Sequence, residues 1–319
     1  MVPSGKNPAK GGYVIGTQIS HYKIIEKLGH GGMGEVYLAN DTKLKRKVAL
    51  KFLPREYSLD SEARERFLRE AQAASILDHP NICTIHEIGE TEKGQSYIIM
   101  SFCEGETLRE KIKRGTLKVE IAIDIAVHIA RGISSAHKHD IIHRDIKPAN
   151  IMINQDGVVK IVDFGLAKFS GVSELTQEHT TLGTIYYMSP EQVNGKEADQ
   201  RSDIWAVGAV LYEMICGKAP FTGNYAQSIF YDILNAEIEP PVSVRRDVPE
   251  ELEKIISKAL MKDPEKRYQK MDEMLDELEA IREETKIGRT KRLHVNSNIN
   301  YKRYVIYGVV LENCKLFGR

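Results

Sequence analysis

The sequence has little of what would place it in several large protein classes. Its four cysteines, Cys83, Cys103, Cys216 and Cys314, are widely spaced. They form no CxxC pair and no His-flanked set, which argues against structural zinc and against a disulfide scaffold. A reducing, cytoplasmic setting is expected. No stretch approaches the ~20 apolar residues that span a bilayer, and the best candidate, Tyr304 to Leu311, is far too short. The run after Met1, VPSGKNPAKGG, has no apolar core of a secretory signal. There is no internal repeat and no net charge, 45 Lys plus Arg against 45 Asp plus Glu. A neutral total gives no global attraction to nucleic acid, and no nucleic-acid partner is expected. What is present is 319 residues of which 42% are hydrophobic, enough for a sizeable core.

Patterning divides the chain. Residues 1–16 are rich in Gly, Pro, Lys and Ser and form a loose lead-in. From Tyr22, the segments YKIIEKLG, EVYLA and RKVALKFL are short, rich in β-branched or aromatic residues and separated by turns, which predicts an antiparallel three-strand meander. Ser61 to Ile76 has apolar residues at helical spacing among charges, with Ser61 as a candidate N-cap. Strands are expected around Ile82–Ile88 and Tyr97–Met100. Beyond Gly105, helices are expected at Val119–Ala130, Ser202–Ile215, Glu250–Met261 and Met271–Glu283. The expected organisation is a small strand-rich lobe over about 17–103, a larger helical lobe over about 104–285, and a tail over 286–319.

Three motifs carry chemistry. Gly29, Gly31 and Gly34 form GxGxxG, and glycine lets a backbone approach phosphate oxygens and donate N–H groups to them. A strand follows where a dinucleotide-binding fold needs a helix, so a loop folded over phosphates and a plain turn both remain open. Lys51, in VALK on the third strand, is costly to bury unless paired. Glu70 is the natural candidate to hold it; the alternative is a solvated edge lysine and a solvated helix face. Third comes HRDIKPAN over residues 143–150, followed by Asp163-Phe164-Gly165. Phosphoryl transfer to a hydroxyl needs a carboxylate to take its proton, oxygen ligands for Mg²⁺ and cations to offset charge. Asp145, the pair Asn150 and Asp163, and the pair Lys147 and Lys51 supply these in turn.

In this order the motifs resemble the signature set of the protein kinase superfamily, over roughly Ile19 to Glu284. GHGGMGEV, VALK, HRDIKPAN, DFG and Ser189-Pro-Glu191 carry the resemblance. Asp-x-Lys in the catalytic loop and Gly183-Thr184 before SPE resemble the Ser/Thr branch, and the wording is similar to bacterial eukaryotic-like kinases. The resemblance implies a two-lobed α+β fold and an ATP-dependent protein Ser/Thr kinase using Mg²⁺, with Mn²⁺ as a substitute. It implies that Gly29, His30, Gly31, Gly32, Met33 and Gly34 cover the phosphates, and that Lys51, held by Glu70, contacts the α- and β-phosphates. Leu28, Val36, Ala49 and Met152 would sandwich adenine, with Met100 as gatekeeper and the Ser101 carbonyl and Cys103 amide as hinge contacts. Asp145 would be the base, Lys147 would steady the γ-phosphate, Asn150 and Asp163 would hold the metal, and Thr184 would line the substrate pocket. Asp203 would brace the catalytic loop and Glu191 would pair with Arg267. Cys103 is read as a small apolar hinge residue rather than a redox site. No lesion at Lys51, Asp145, Asn150 or Asp163 favours a pseudokinase, and the GT…SPE segment argues against a small-molecule phosphotransferase.

The loop between Asp163 and Glu191 carries Thr180 and Thr181, expected phosphosites modified by a second copy of the chain in a transient homodimer. Residues 286–319 hold eight Lys or Arg and one acid, Glu312, a net +7 that leaves −7 on residues 1–285. The neutral total is thus a cancellation. For this basic tail a free cytosolic segment ranks ahead of a truncated juxtamembrane relic or a membrane-surface patch, because one basic cluster without a lipid anchor binds weakly. Protein substrates are the expected partners.

Overall fold

The structure is a computed structural model that describes residues 13, 15–31, 34–54, 60–164 and 182–285. The first part of the chain forms a six-stranded antiparallel sheet: β1 (Gln18–Ile19), β2 (Tyr22–Gly31), β3 (Gly34–Asp41), β4 (Arg46–Phe52), β5 (Ile85–Glu90) and β6 (Ser96–Ser101). Their spatial order is β1-β2-β3-β4-β6-β5, so the expected meander is the nucleus of a larger sheet. The two-residue period of a strand decides what each face does. On β4, Val48, Leu50 and Phe52 join Tyr22, Tyr37 and Tyr97 in one apolar layer. Ala49 faces the other way, into a cluster with Ile98, Met100, Phe67 and Ala71. Lys51, two residues from Ala49, shares that second face, paired across the sheet with Val36 and Ile98.

Phe67 and Ala71 come from α1 (Ser61–Ser75), which covers the second face. Its start differs from expectation: the Asp60 carboxylate, not Ser61, accepts from the Glu62 N–H at 2.9 Å, because Ser61 already lies in the first turn. The expected strand at Ile82 begins only at Ile85. Residues 81–83 instead tie to β9 (Val159–Ile161), where the Cys83 N–H donates to the Ile161 carbonyl at 2.8 Å and Ile82 bridges Ile161.

Gly105 turns the chain out of the first sheet at φ 142°, and a Cβ there would sit 2.2 Å from the Ile153 carbonyl oxygen. A second small sheet follows, β7 (Glu106–Thr107), β8 (Ile151–Ile153) and β9, which frames the catalytic-loop motif. The remainder is helical: α2 (Leu108–Lys113), α3 (Val119–His137), α4 (Leu182–Ile185), α5 (Pro190–Val193), α6 (Gln200–Cys216), α7 (Ala226–Asn235), α8 (Pro241–Val244), α9 (Glu250–Ala259) and α10 over 271–285. α3, α6 and α9 pack in sequence around one contiguous core, with Trp205 fully buried in it. α3 runs to His137, past the expected end at Ala130, because its small residues Ala130, Gly132, Ser134 and Ala136 continue the buried face.

Candidate active site

The cleft is framed by β2–β4 and β6 on one side and by the catalytic loop on the other. Gly34 opens β3 at φ 109°, and a Cβ there would lie 1.9 Å from the Phe52 carbonyl oxygen, so only glycine fits. Beyond it, Val36, Ala49, Met100 and Cys103 belong to one apolar cluster. Leu28 is exposed at the rim, and Met152 on β8 is half-buried. The backbones of Gly29, His30 and Gly31 lie on β2. Gly32 and Met33 lie outside the described residues, as do Gly165, Thr180, Thr181 and the tail from 286 onward.

Lys51 is 2% exposed, so its ammonium needs a counter-charge. That charge is the Asp163 carboxylate at 2.8 Å, whereas the expected Lys51–Glu70 pair is not among the ion pairs of the described residues. Asp163 makes this contact from a backbone at a left-handed φ of 63°. Burial pushes the Asp163 carboxyl up, but the Lys51 charge and hydrogen bond outweigh it and hold the group below its usual range.

Across the cleft two side chains, Lys147 and Asn150, converge on the Asp145 carboxylate. The Lys147 ammonium lies 2.8 Å from Asp145 Oδ2 and donates to the Thr184 hydroxyl at 2.9 Å. The Asn150 amide donates to Asp145 Oδ2 at 3.0 Å and to the Asp145 carbonyl at 2.9 Å. The His143 ring fixes the loop from beneath. Its Nε2 donates to the Val162 carbonyl at 3.1 Å, which leaves Nδ1 to accept from the Asp145 N–H at 3.2 Å. The same ring meets Phe164 edge-on, with centroids 4.6 Å apart.

The loop is anchored by Asp203 in the first turn of α6. Its carboxylate accepts from the N–H groups of His143 and Arg144, both at 2.8 Å, and from His137 Nε2 at 2.8 Å. Burial raises the Asp203 carboxyl, yet the hydrogen bonds from His137 and from the His143 N–H bring it below the usual range. These bonds hold Arg144 at φ 66°, a conformation few non-glycine residues adopt unaided.

Ser189 caps α5 reciprocally with Gln192, whose amide donates to the Arg144 carbonyl at 2.9 Å. Glu191 is clasped by Arg267 through two parallel bonds of 2.7 and 2.8 Å and receives the Ser202 hydroxyl at 2.6 Å. Burial pushes the Glu191 carboxyl up, but Arg267 and Ser202 pull it down to about 2.

With this geometry in view, comparison with known proteins is decisive. The protein kinase domain family matches residues 22–278. The chain belongs to the protein kinase family. Its kinase domain is 44% identical over 263 residues to the serine/threonine-protein kinase PrkC of Bacillus subtilis, covering 82% of this chain and 40% of that protein. It is 40% identical over 268 residues to the serine/threonine-protein kinase PknB of Mycolicibacterium smegmatis, covering 82% of this chain and 43% of that protein. The chain therefore spans about two fifths of the length of the curated relatives it matches. Among solved structures, the kinase domain of Mycobacterium tuberculosis PknI superposes with a TM-score of 0.67 at 27% identity, over 84% of this chain and 99% of that one.

A kinase domain implies ATP and a divalent metal, and the donor set can be tested against that expectation. Among the described residues no group of three or more His, Cys, Asp or Glu is placed to hold a metal ion by itself. The metal would instead rely on Asp163 and Asn150 together with phosphate oxygens and water, which is how Mg²⁺ is commonly held. The residues fit. Contacts that the sequence pattern did not reveal join partners far apart along the chain: His137 to Asp203, Gln192 to Arg144, and Cys83 to Cys103, whose sulfurs are 3.8 Å apart. In the last case two small apolar residues in neighbouring strand-like segments were the available signal.

Proposed function

We propose that the chain is an ATP-dependent protein serine/threonine kinase that transfers the γ-phosphoryl group of ATP to Ser or Thr hydroxyls of proteins. The observation that carries this reading is the Lys147 ammonium poised between the Asp145 carboxylate and the Thr184 hydroxyl. Asp145 orients the incoming hydroxyl and accepts its proton, while Lys147 offsets charge on the transferring group. Thr184 lines the place where that hydroxyl enters. Lys51 exchanges its contact with Asp163 for the α- and β-phosphates, and Glu70 lies on the helix that packs against the same sheet face. Adenine fits among Leu28, Val36, Ala49, Met100 and Met152, with the Ser101 carbonyl and Cys103 N–H as hinge partners.

Asp163 and Asn150 hold Mg²⁺, with Mn²⁺ as an alternative. The ion neutralises phosphate charge when bound. The Ser/Thr branch is supported by the names of the relatives and by Lys147. Regulation follows the same reading: a transient homodimer phosphorylates Thr180 or Thr181 in trans, in the cytosol, and the basic tail stays free of membrane.

Incubation with ATP, Mg²⁺ and a generic basic protein tests this. The wild type should label Ser and Thr, with Thr180 or Thr181 among the modified residues, and Asp145→Asn should be slower by at least ~10²-fold. No labelling by the wild type, or equal labelling by the variant, removes the reading.

A further inference from the structure

Two cysteines 20 positions apart in the chain meet at the hinge, with their Sγ atoms 3.8 Å from each other. Both sulfurs approach one carbonyl, that of Ser101, at 3.3 Å for Cys83 and 3.9 Å for Cys103. Cys83 is buried and Cys103 partly exposed. Cys83 also lines a cavity that reaches Asp163 and Phe164. A disulfide requires the sulfurs to close from 3.8 Å to about 2 Å. Neither backbone lies in a strand: Cys83 precedes β5, whose entry is already tied to β6 by the Ser101 N–H bond to the Thr84 carbonyl at 2.9 Å. Cys103 follows β6, whereas Cys83 is tied to β9 through its N–H bond to Ile161, two residues before Asp163.

We propose that Cys83 and Cys103 form a reversible disulfide, with a hydroperoxide as oxidant, that staples the hinge to the strand leading into Asp163. The Cys103 thiolate attacks the peroxide, the O–O bond breaks, an alcohol or water leaves with a proton, and Cys103 becomes a sulfenic acid. The Cys83 sulfur then attacks the Cys103 sulfur. The S–S bond forms, the S–O bond breaks, and the Cys83 proton leaves with the hydroxide as water. Two electrons pass from the two thiols to the peroxide.

The order of attack follows from the environment. The hydrogen-bond contact with Cys83 holds the Cys103 thiol below its usual range, while the same contact and burial push Cys83 well above it. Cys216 has no cysteine beside it among the described residues; burial, only partly offset by a hydrogen bond with Tyr212, pushes its thiol up to about 11, so it serves as an internal control. The effect on phosphotransfer rests on the kinase reading, since Cys103 is then a hinge contact. The linkage itself does not.

The full chain, reduced, desalted and exposed to graded hydrogen peroxide, is quenched with an alkylating agent and mapped by mass spectrometry without reductant. The expected result is a Cys83–Cys103 linked peptide that appears before Cys216 is consumed and disappears with dithiothreitol. Phosphotransfer should fall at least ~5-fold in step with the linkage and recover with it. Cys83→Ala should yield no link, and its Cys103 should accumulate sulfenic and sulfinic acid instead. Over-oxidised Cys103 without a link in the wild type, a link to Cys314 or between chains, or a link without change in phosphotransfer would each overturn the proposal. A wild type inactive even in reductant points instead to failure of the kinase reading, because the mapped linkage is scored independently of activity.

Discussion

Two buried ion pairs flank the catalytic loop, and they are built differently. Arg267 has a fully buried side chain, and all five of its N–H groups have acceptors: both Glu191 oxygens and the carbonyls of Met261, Lys262 and Arg201. Glu191 in turn receives Ser202. Lys51 is nearly as buried, yet its ion pair among the described residues is one 2.8 Å contact to an Asp163 whose own backbone sits at φ 63°. Arg267 is over-determined, so it fixes a segment. Among the described residues Lys51 has one ion-pair contact, and on the proposed kinase reading it exchanges that partner for a phosphate. The difference separates a structural ion pair from a functional one in the same molecule, although burial alone would rank them alike.

The largest effect expected from this contrast is on the over-determined pair. Arg267→Met should destabilise by about 3–5 kcal/mol, because it leaves Glu191 buried without its counter-charge. Chemical denaturation would measure this, and adding Glu191→Leu should recover much of the loss. A cost under ~1 kcal/mol would erase the distinction.

A pH series sharpens it next. The Glu191 carboxyl falls from its ordinary 4.5 to about 2 in the folded state. The unfolded chain therefore binds the proton more readily, and the contribution of this pair to stability is complete above about pH 5 and is lost as pH falls toward 2. The stability difference between wild type and Glu191→Gln should shrink across that window. A constant difference would contradict the assignment.

The smallest effect belongs to a peripheral anchor of the same platform. Asp199 caps α6, accepting from the Arg201 N–H at 2.8 Å, and Asp199→Ala should cost about 0.5–2 kcal/mol by chemical denaturation.

What the sequence reveals and what it conceals divide along the same line. Asp145, Lys147 and Asn150 are legible because their chemistry is packed into eight consecutive residues, 143–150. The alternation of VALKF likewise places Lys51 and Ala49 on one face. The Lys51–Asp163 contact is not legible, since Glu70 also meets the charge requirement in the sequence and only the tertiary fold brings Asp163 within 2.8 Å of Lys51. The same holds for Asp60 capping α1 beside an equally suitable Ser61. Nor does local pattern reveal the bond from His137 to Asp203, 66 residues apart, because it depends on how α3 and α6 pack. The lobes follow from periodicity, whereas the short β7, β8 and β9 are defined chiefly by pairing with one another.

The central claim is that the Lys51–Asp163 contact serves chemistry and the Arg267–Glu191 contact serves the fold. It is tested most directly by measuring phosphotransfer and Tm together on Lys51→Met. The account predicts a fall of about 10²–10³-fold in rate with a Tm lowered by less than about 4 °C. A Tm collapse like that of Arg267→Met, or a rate within ~10-fold of wild type, would contradict it.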